Sequence, residues 1–293
     1  MAEIIESFTF SADGQPVEVE LSIQGEGRPV LLLPALSSIS TRHEMDGLAA
    51  VLSADFRTIA ADWPGFGETA KPGVKWTPAL LSAYLDALLA HLAPAPFAIV
   101  AAGHAATYAY HHLARHPGAT QRLVSLAPTW RGPFPTMMGG QKSWFSSVRS
   151  ALDAPGVGPV LYAVNMSPPV MNMMVGGHVY VDRDWMPEAT RASKKAVVDA
   201  PGARFGSVRF VSGGLDRVES REDFLALARQ IAVPHLVLYG ARTPRRSRAE
   251  MDALAELPNV ESRVLDRGKL SFYEEFSPDA APVVAEFLKR HGG

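Results

Sequence analysis

Four short, unbroken apolar runs constrain this chain more than any other feature: "PVLLLPAL" (29–36), "RTIAADW" (57–63), "FAIVAAG" (97–103) and "RLVSLAP" (122–128). A strand wet on one face alternates apolar with polar residues. A continuous run of this length instead suits a strand covered by helices on both faces, as in a parallel sheet. The intervening segments have helical periodicity. The clearest is "TPALLSAYLDALLAHLAP" (77–94), with Thr77 as N-cap, Pro78 at the first helical position and one stripe of Leu81, Leu85, Leu88, Leu89 and Leu92. Upstream, "PVEVELSI" (16–23) alternates as an edge strand or hairpin does, after an "ADG" turn. Strand–helix alternation of this kind predicts an α/β fold with a mostly parallel, doubly wound sheet.

The rhythm breaks near Gly132 and resumes after Gly206. The stretch between holds seven of the ten methionines and the cluster "MSPPVMNMMVGG" (166–177), and reads as an inserted helical cap. The α/β pattern returns with "REDFLALARQI", "PHLVLYG", "SRAEMDALAEL", "ESRVLD" and "APVVAEFLKRHG". The expected organisation is therefore a core of residues 1–131 and 207–293 with a cap of 132–206. Methionines adapt to irregular apolar shapes, so Met171, Met173 and Met174 are candidate pocket residues as well as core filler. Trp130, at the mouth of the cap, is a candidate flat wall.

Three motifs, in order, resemble the α/β-hydrolase superfamily. "LLLPALSSIS" is similar to the strand and oxyanion loop, and "AADWPGFGET" to the family's Asp-x-Pro-Gly-x-Gly turn through Asp62, Pro64, Gly65 and Gly67. "VAAGHAATYA" resembles the nucleophile elbow, whose usual pattern is G-x-S-x-G. The resemblance implies the α/β-hydrolase fold. It also implies three catalytic slots, and each holds the wrong residue for a serine triad. Ala105 stands at the nucleophile position, Thr243 at the acid after the penultimate strand, and Lys269 at the histidine after the last strand. A nucleophilic serine needs an imidazole for its proton and a carboxylate to orient that imidazole. Ordinary serine hydrolysis is not expected. The backbone N–H groups of Leu36 and Ala106 are the expected oxyanion donors, which serve an oxyanion or enolate even without a nucleophile.

Other constellations weigh less. His104 reads as a buried, hydrogen-bonded histidine, and His111 and His112 as scaffold. Ser37, Ser38, Ser40, His43 and Glu44 could form a displaced triad, but look more like the polar start of a helix. Lys269 could enter the cavity, lose its charge by desolvation and act as a base or Schiff-base amine, with Tyr273 nearby. His178, Asp182 and Asp184 read as polar surface rather than a metal site. Arg242, Arg245, Arg246 and Arg248 read as a solvated face.

The chain has no cysteine, which excludes thiolate nucleophiles and cysteine-ligated metals. A net charge of −2 offers no bulk attraction to nucleic acid or anionic membrane. The N-terminus lacks the apolar core of a signal peptide, and a cytoplasmic location is expected. The expected partner is a small apolar or carbonyl ligand. No metal and no cofactor are expected, and a homodimer is left open. Three functions compete: a ligand-binding member without hydrolysis, an enzyme with non-triad chemistry such as proton transfer or C–C cleavage through Lys269, and a hydrolase with a displaced triad. Whether the chain is an enzyme is undecided at this level.

Overall fold

A computed structural model describes residues 3–167, 177–182 and 185–290. Eight strands form one sheet in the order β1-β2-β4-β3-β5-β6-β7-β8. Strands β1 (Ile4–Ala12) and β2 (Gln15–Gln24) make an antiparallel hairpin whose turn uses Asp13 and Gly14, both at positive φ. β2 also runs antiparallel to β4 (Arg57–Ala61). From there onward β3 (Pro29–Leu33), β5 (Ala98–Ala102), β6 (Arg122–Leu126), β7 (His235–Gly240) and β8 (Val260–Leu265) all pair in parallel.

The four apolar runs become β3, β4, β5 and β6, and their interiors are buried on both faces. Leu31 shows why continuity was needed: it is fully buried and pairs with Ile59 on one side and Ile99 on the other. Helix α1 (Asp46–Leu52) follows β3, and α2 (Pro78–His91) follows β4. Helix α2 starts where expected: the Thr77 hydroxyl accepts from the Leu80 N–H at 3.2 Å. Helix α3 (Ala105–Arg115) leaves directly from the end of β5.

Between β6 and β7 the described chain forms α4 (Pro133–Met138), α5 (Phe145–Asp153), α6 (Val157–Asn165), α7 (Glu188–Asp199), α8 (Ala203–Val211) and α9 (Arg221–Arg229). Helix α8 runs straight across the 206/207 boundary suggested by the sequence. It is seated on the core through glycines. A Cβ on Gly206 would fall 2.6 Å from the Gly65 carbonyl oxygen, and one on Gly202 would overlap the Lys71 carbonyl. The Lys71 N–H donates to Pro201 O at 2.7 Å in the same seam. Upstream, Gly139 and Gly140 take left-handed backbone angles with nothing among the described residues within 4 Å of where a Cβ would stand. The chain closes with α10 (Arg245–Ala255), the short α11 (Phe272–Glu275) and α12 (Ser277–Arg290).

The segments leaving the carboxyl ends of β3, β5, β6 and β8 converge on one edge of the sheet, the usual place for a ligand crevice in an open α/β sheet. No helix among the described residues is long and apolar enough to cross a membrane.

Candidate functional site

A cavity of about 270 Å³ lies on that edge. Ala35 to Ser40 supply one wall, Gly103 and His104 the floor, and Ala127, Thr129 and Arg131 another side. Phe210 and Val211 of α8, with Met137, Met166 and His178, come from the inserted segment. Leu270, Ser271 and Tyr273 close the site.

The turn between β5 and α3 differs from the sequence expectation in register. Its left-handed residue is Gly103, at φ +51°. Ala105 lies two residues later, fully buried as the first residue of α3. The elbow tip is thus a glycine with no side chain, and the reason is steric: only glycine takes positive φ without penalty. A Cβ placed at Gly103 would sit 3.2 Å from Ala35 Cβ and 3.8 Å from Thr129 Oγ1. This shift also corrects the expected oxyanion pair. The Ala106 N–H is spent inside the turn, donating to Gly103 O at 3.3 Å. The residue after the tip is His104. Among the described residues, the N–H groups of His104 and Leu36 have no protein acceptor, and both residues line the cavity.

His104 is buried, and both ring nitrogens are engaged. Nδ1 lies 3.0 Å from Thr129 Oγ1, and Nε2 lies 3.1 Å from Asp216 Oδ1. The Gly132 N–H donates to the same Asp216 oxygen at 2.8 Å. A carboxylate only accepts, so Nε2 carries the proton and Nδ1 accepts from the threonine hydroxyl. The Phe210 ring meets the imidazole edge-on, with centroids 5.4 Å apart. Thr129 is further held by its N–H to Gly103 O (3.1 Å) and by its carbonyl, which accepts from Thr107 Oγ1 (2.8 Å).

A second polar group adjoins the cavity through Glu44 and Tyr273. Lys194 Nζ is buried between Glu44 Oε1 (2.8 Å) and Glu274 Oε1 (3.3 Å). Tyr273 donates to Glu44 Oε2 at 3.1 Å, and Tyr180 to Glu274 Oε2 at 2.5 Å. Burial works against the ammonium, but the two carboxylates outweigh it and hold the Lys194 pKa above its ordinary range. Burial pushes Glu274 up to about 7 despite the lysine, and the charge of Glu44 adds to the rise.

The other expected residues fall as follows. Leu36 lines the cavity. Trp130 does not: it is buried in the core, 6.5 Å from the Phe224 ring, with the Arg131 guanidinium 4.8 Å from its own. Its neighbours in sequence face the cavity, and its side chain turns the other way into the α9 packing. Met171, Met173 and Met174 lie outside the described residues, as does Asp184. Thr243 is buried, and its hydroxyl has no partner among the described residues. Lys269 is half-buried and engaged by a neighbour of its own; it adjoins Leu270 and Ser271 without lining the cavity itself. Ser37 and Ser40 bond each other (2.7 Å), Ser38 meets Ser207 (2.7 Å), and His43 turns to Asp46 (3.1 Å). No Ser-His-Glu unit forms there. A serine, a histidine and a tyrosine do meet at Ser125, His235 and Tyr110, with Ser125 Oγ 2.9 Å from His235 Nε2. That group is buried inside the sheet and touches no cavity wall. Arg246 is not a free charge, because it binds the carbonyls of Thr136 and Met137 and pins α4 to α10.

A family model described as the alpha/beta hydrolase fold matches residues 28–162. Solved structures are similar in fold over nearly the whole chain. The esterase from Thermogutta terrifontis, solved with malate, is 19% identical; the match covers 98% of this chain and 99% of that one, with a TM-score of 0.73. This chain has the α/β-hydrolase fold. The haloalkane dehalogenase DatA from Agrobacterium tumefaciens C58 is 17% identical over 98% of this chain and 97% of that one (TM-score 0.73). The bromoperoxidase from Bacillus anthracis is 16% identical over 97% and 100% (TM-score 0.72). No curated protein matches the sequence. Within this α/β-hydrolase fold, the mostly parallel sheet agrees with the sequence expectation, and the elbow register does not.

Proposed function

We propose that this α/β-hydrolase fold admits a small, mainly apolar molecule bearing a carbonyl group, and that no serine triad acts on it there. The observation that carries this reading is the glycine at the elbow tip: Gly103 offers the cavity two amide donors nearby and no side-chain nucleophile. A cavity of about 270 Å³ is at the small end of ligand sites. Its walls at Leu36, Ile39, Phe210, Val211 and Leu270 favour apolar surface, while the Leu36 and His104 N–H groups favour one oxygen. Thr243 and Lys269, in the acid and histidine slots, do not supply a serine's base.

A panel of small ketones, measured by thermal denaturation, tests this. A ligand at about 100 times its Kd should add about 2.7 kcal/mol to stability. Val179 lines the cavity, and Val179→Trp should abolish the shift while leaving the unliganded melting temperature within a few degrees. If no ketone shifts the transition, or if the tryptophan variant binds as well as the parent, the ligand site is elsewhere.

A further inference from the structure

Outside the three slots inherited from the fold, a hydroxyl and an imidazole that line the cavity and a carboxylate behind them form one hydrogen-bonded chain. We propose that Thr129, His104 and Asp216 form a working acyl-transfer relay, with Thr129 Oγ1 as nucleophile toward small carboxylic esters. This inference rests on the carbonyl-ligand reading above and adds a reaction to it.

Each link has the required geometry. The nucleophile and base are 3.0 Å apart, and the base and its orienting carboxylate 3.1 Å apart. Asp216 is itself fixed by the Gly132 N–H at 2.8 Å and by Gln141 Nε2 at 3.4 Å. Its acceptor oxygens assign the proton to Nε2, which leaves the Nδ1 lone pair facing the threonine hydroxyl. Thr129 Oγ1 lies 3.8 Å from the point where a side chain at Gly103 would begin, close to the place a side chain on the elbow tip would reach. Leu36 and His104 line the same cavity, and their amides have no protein acceptor among the described residues. Nucleophile, base and oxyanion donors therefore line one cavity, with the orienting carboxylate behind the base.

The reaction balances with water as the second substrate. Thr129 Oγ1 bonds to the ester carbonyl carbon as its proton passes to His104 Nδ1, and the carbonyl electron pair moves to the oxygen held by the two amides. Collapse breaks the bond to the alcohol oxygen, which takes the proton from Nδ1. Water then attacks the threonyl ester, gives its proton to His104, and releases the acid as Thr129 regains its hydrogen.

The test uses the intact chain with p-nitrophenyl butyrate, followed by peptide mass analysis. The expected result is p-nitrophenolate release with butyryl mass on the peptide containing Thr129. Thr129→Val should lose at least 100-fold of the acylation rate, and His104→Gln and Asp216→Asn 100- to 10,000-fold. Thr129→Ser should retain both release and label, now on the serine, which separates lost chemistry from lost folding. A ketone that shifts the melting temperature serves as the binding control in every variant. Ketone binding with no acylation, label on Ser37, Ser38 or any other residue, or Thr129→Val acylated at the parent rate would each overturn the relay while leaving ligand binding in place. Failure of the ketone to bind at all would instead remove the reading beneath it.

Discussion

Lys194 carries an unusual load for one side chain. It is buried with two carboxylates on it, and it joins α7 of the inserted segment to Glu44 after β3 and Glu274 of α11. One ammonium does not neutralise two anions, so the second carboxylate is relieved by the Tyr180 hydroxyl and by its own raised pKa. Removing the lysine should therefore be expensive out of proportion to its contacts. Lys194→Met is expected to cost about 3–5 kcal/mol in urea denaturation, the range for leaving a buried partner charge unpaired. Adding Glu44→Gln to that variant should recover a substantial part, since a neutral amide leaves one anion fewer. Equal stability of the single and double variants would show that the carboxylates do not feel the lysine. Sequence gave no sign of this group, because Glu44 and Lys194 are 150 positions apart. The same holds for Asp216, which is 112 positions from the histidine it orients. Local pattern reveals what a residue type does to its own segment, and these pairings exist only once distant segments are stacked.

Elements were more legible than sites, for a physical reason. Strands β3 to β6 are buried on both faces, so their composition had to be uniformly apolar and announced itself. The β5–α3 turn was harder. Gly103-x-Ala105 imitates the first glycine and nucleophile of the family pattern, but the backbone turns where left-handed φ costs least, at the glycine itself. Trp130 failed differently: position along a loop does not tell which way a side chain points. The seam between α8 and the Asp62–Gly67 turn is a further element-scale feature that small residues alone permit. Gly206→Ala should force that seam apart, because its Cβ would meet Gly65 O at 2.6 Å. The expected cost is about 1–3 kcal/mol, as for overpacking elsewhere. Gly118, where a Cβ would have nothing among the described residues within 4 Å, is the control position, and Gly118→Ala should leave stability within about 0.5 kcal/mol. Equal effects at both glycines would mean the seam is loose.

At the scale of the whole molecule, acid stability should reflect a histidine held neutral in the core. Burial lowers the His235 pKa to about 3, and its Nδ1 has no partner among the described residues. The unfolded chain takes up this proton near pH 6.5 and the folded chain only near pH 3. Stability from this group is thus complete above pH 6.5 and is lost as pH falls toward 3. By pH 4 the loss should be on the order of 3 kcal/mol, taking 1.36 kcal/mol per unit. Glu274 acts in the opposite sense between pH 4.5 and about 7, where the folded chain keeps a proton the unfolded chain has released. The comparison that isolates His235 is with His235→Gln. Urea denaturation at pH 7, 5 and 4 should give a shallower acid slope for the variant, and parallel slopes would mean the histidine is hydrated or already charged when folded.

The seating of α8 has a directional consequence. The end of the inserted segment that contains α8 meets the core at backbone distance through Gly202 and Gly206, with only the Phe66 ring edge and Lys71 Cβ beside the contact. Its beginning is seated at Gly132 against Phe210 O and then passes through two left-handed glycines, Gly139 and Gly140, with nothing among the described residues close to either. The roof over the cavity therefore has fixed jambs at α8 and at α4, and its freedom to yield lies beyond α4, at Gly139 and Gly140. Traffic into the cavity should follow that layout, with molecules passing where α4 ends, beyond Met137, rather than under Phe210, and the size of molecule admitted set there.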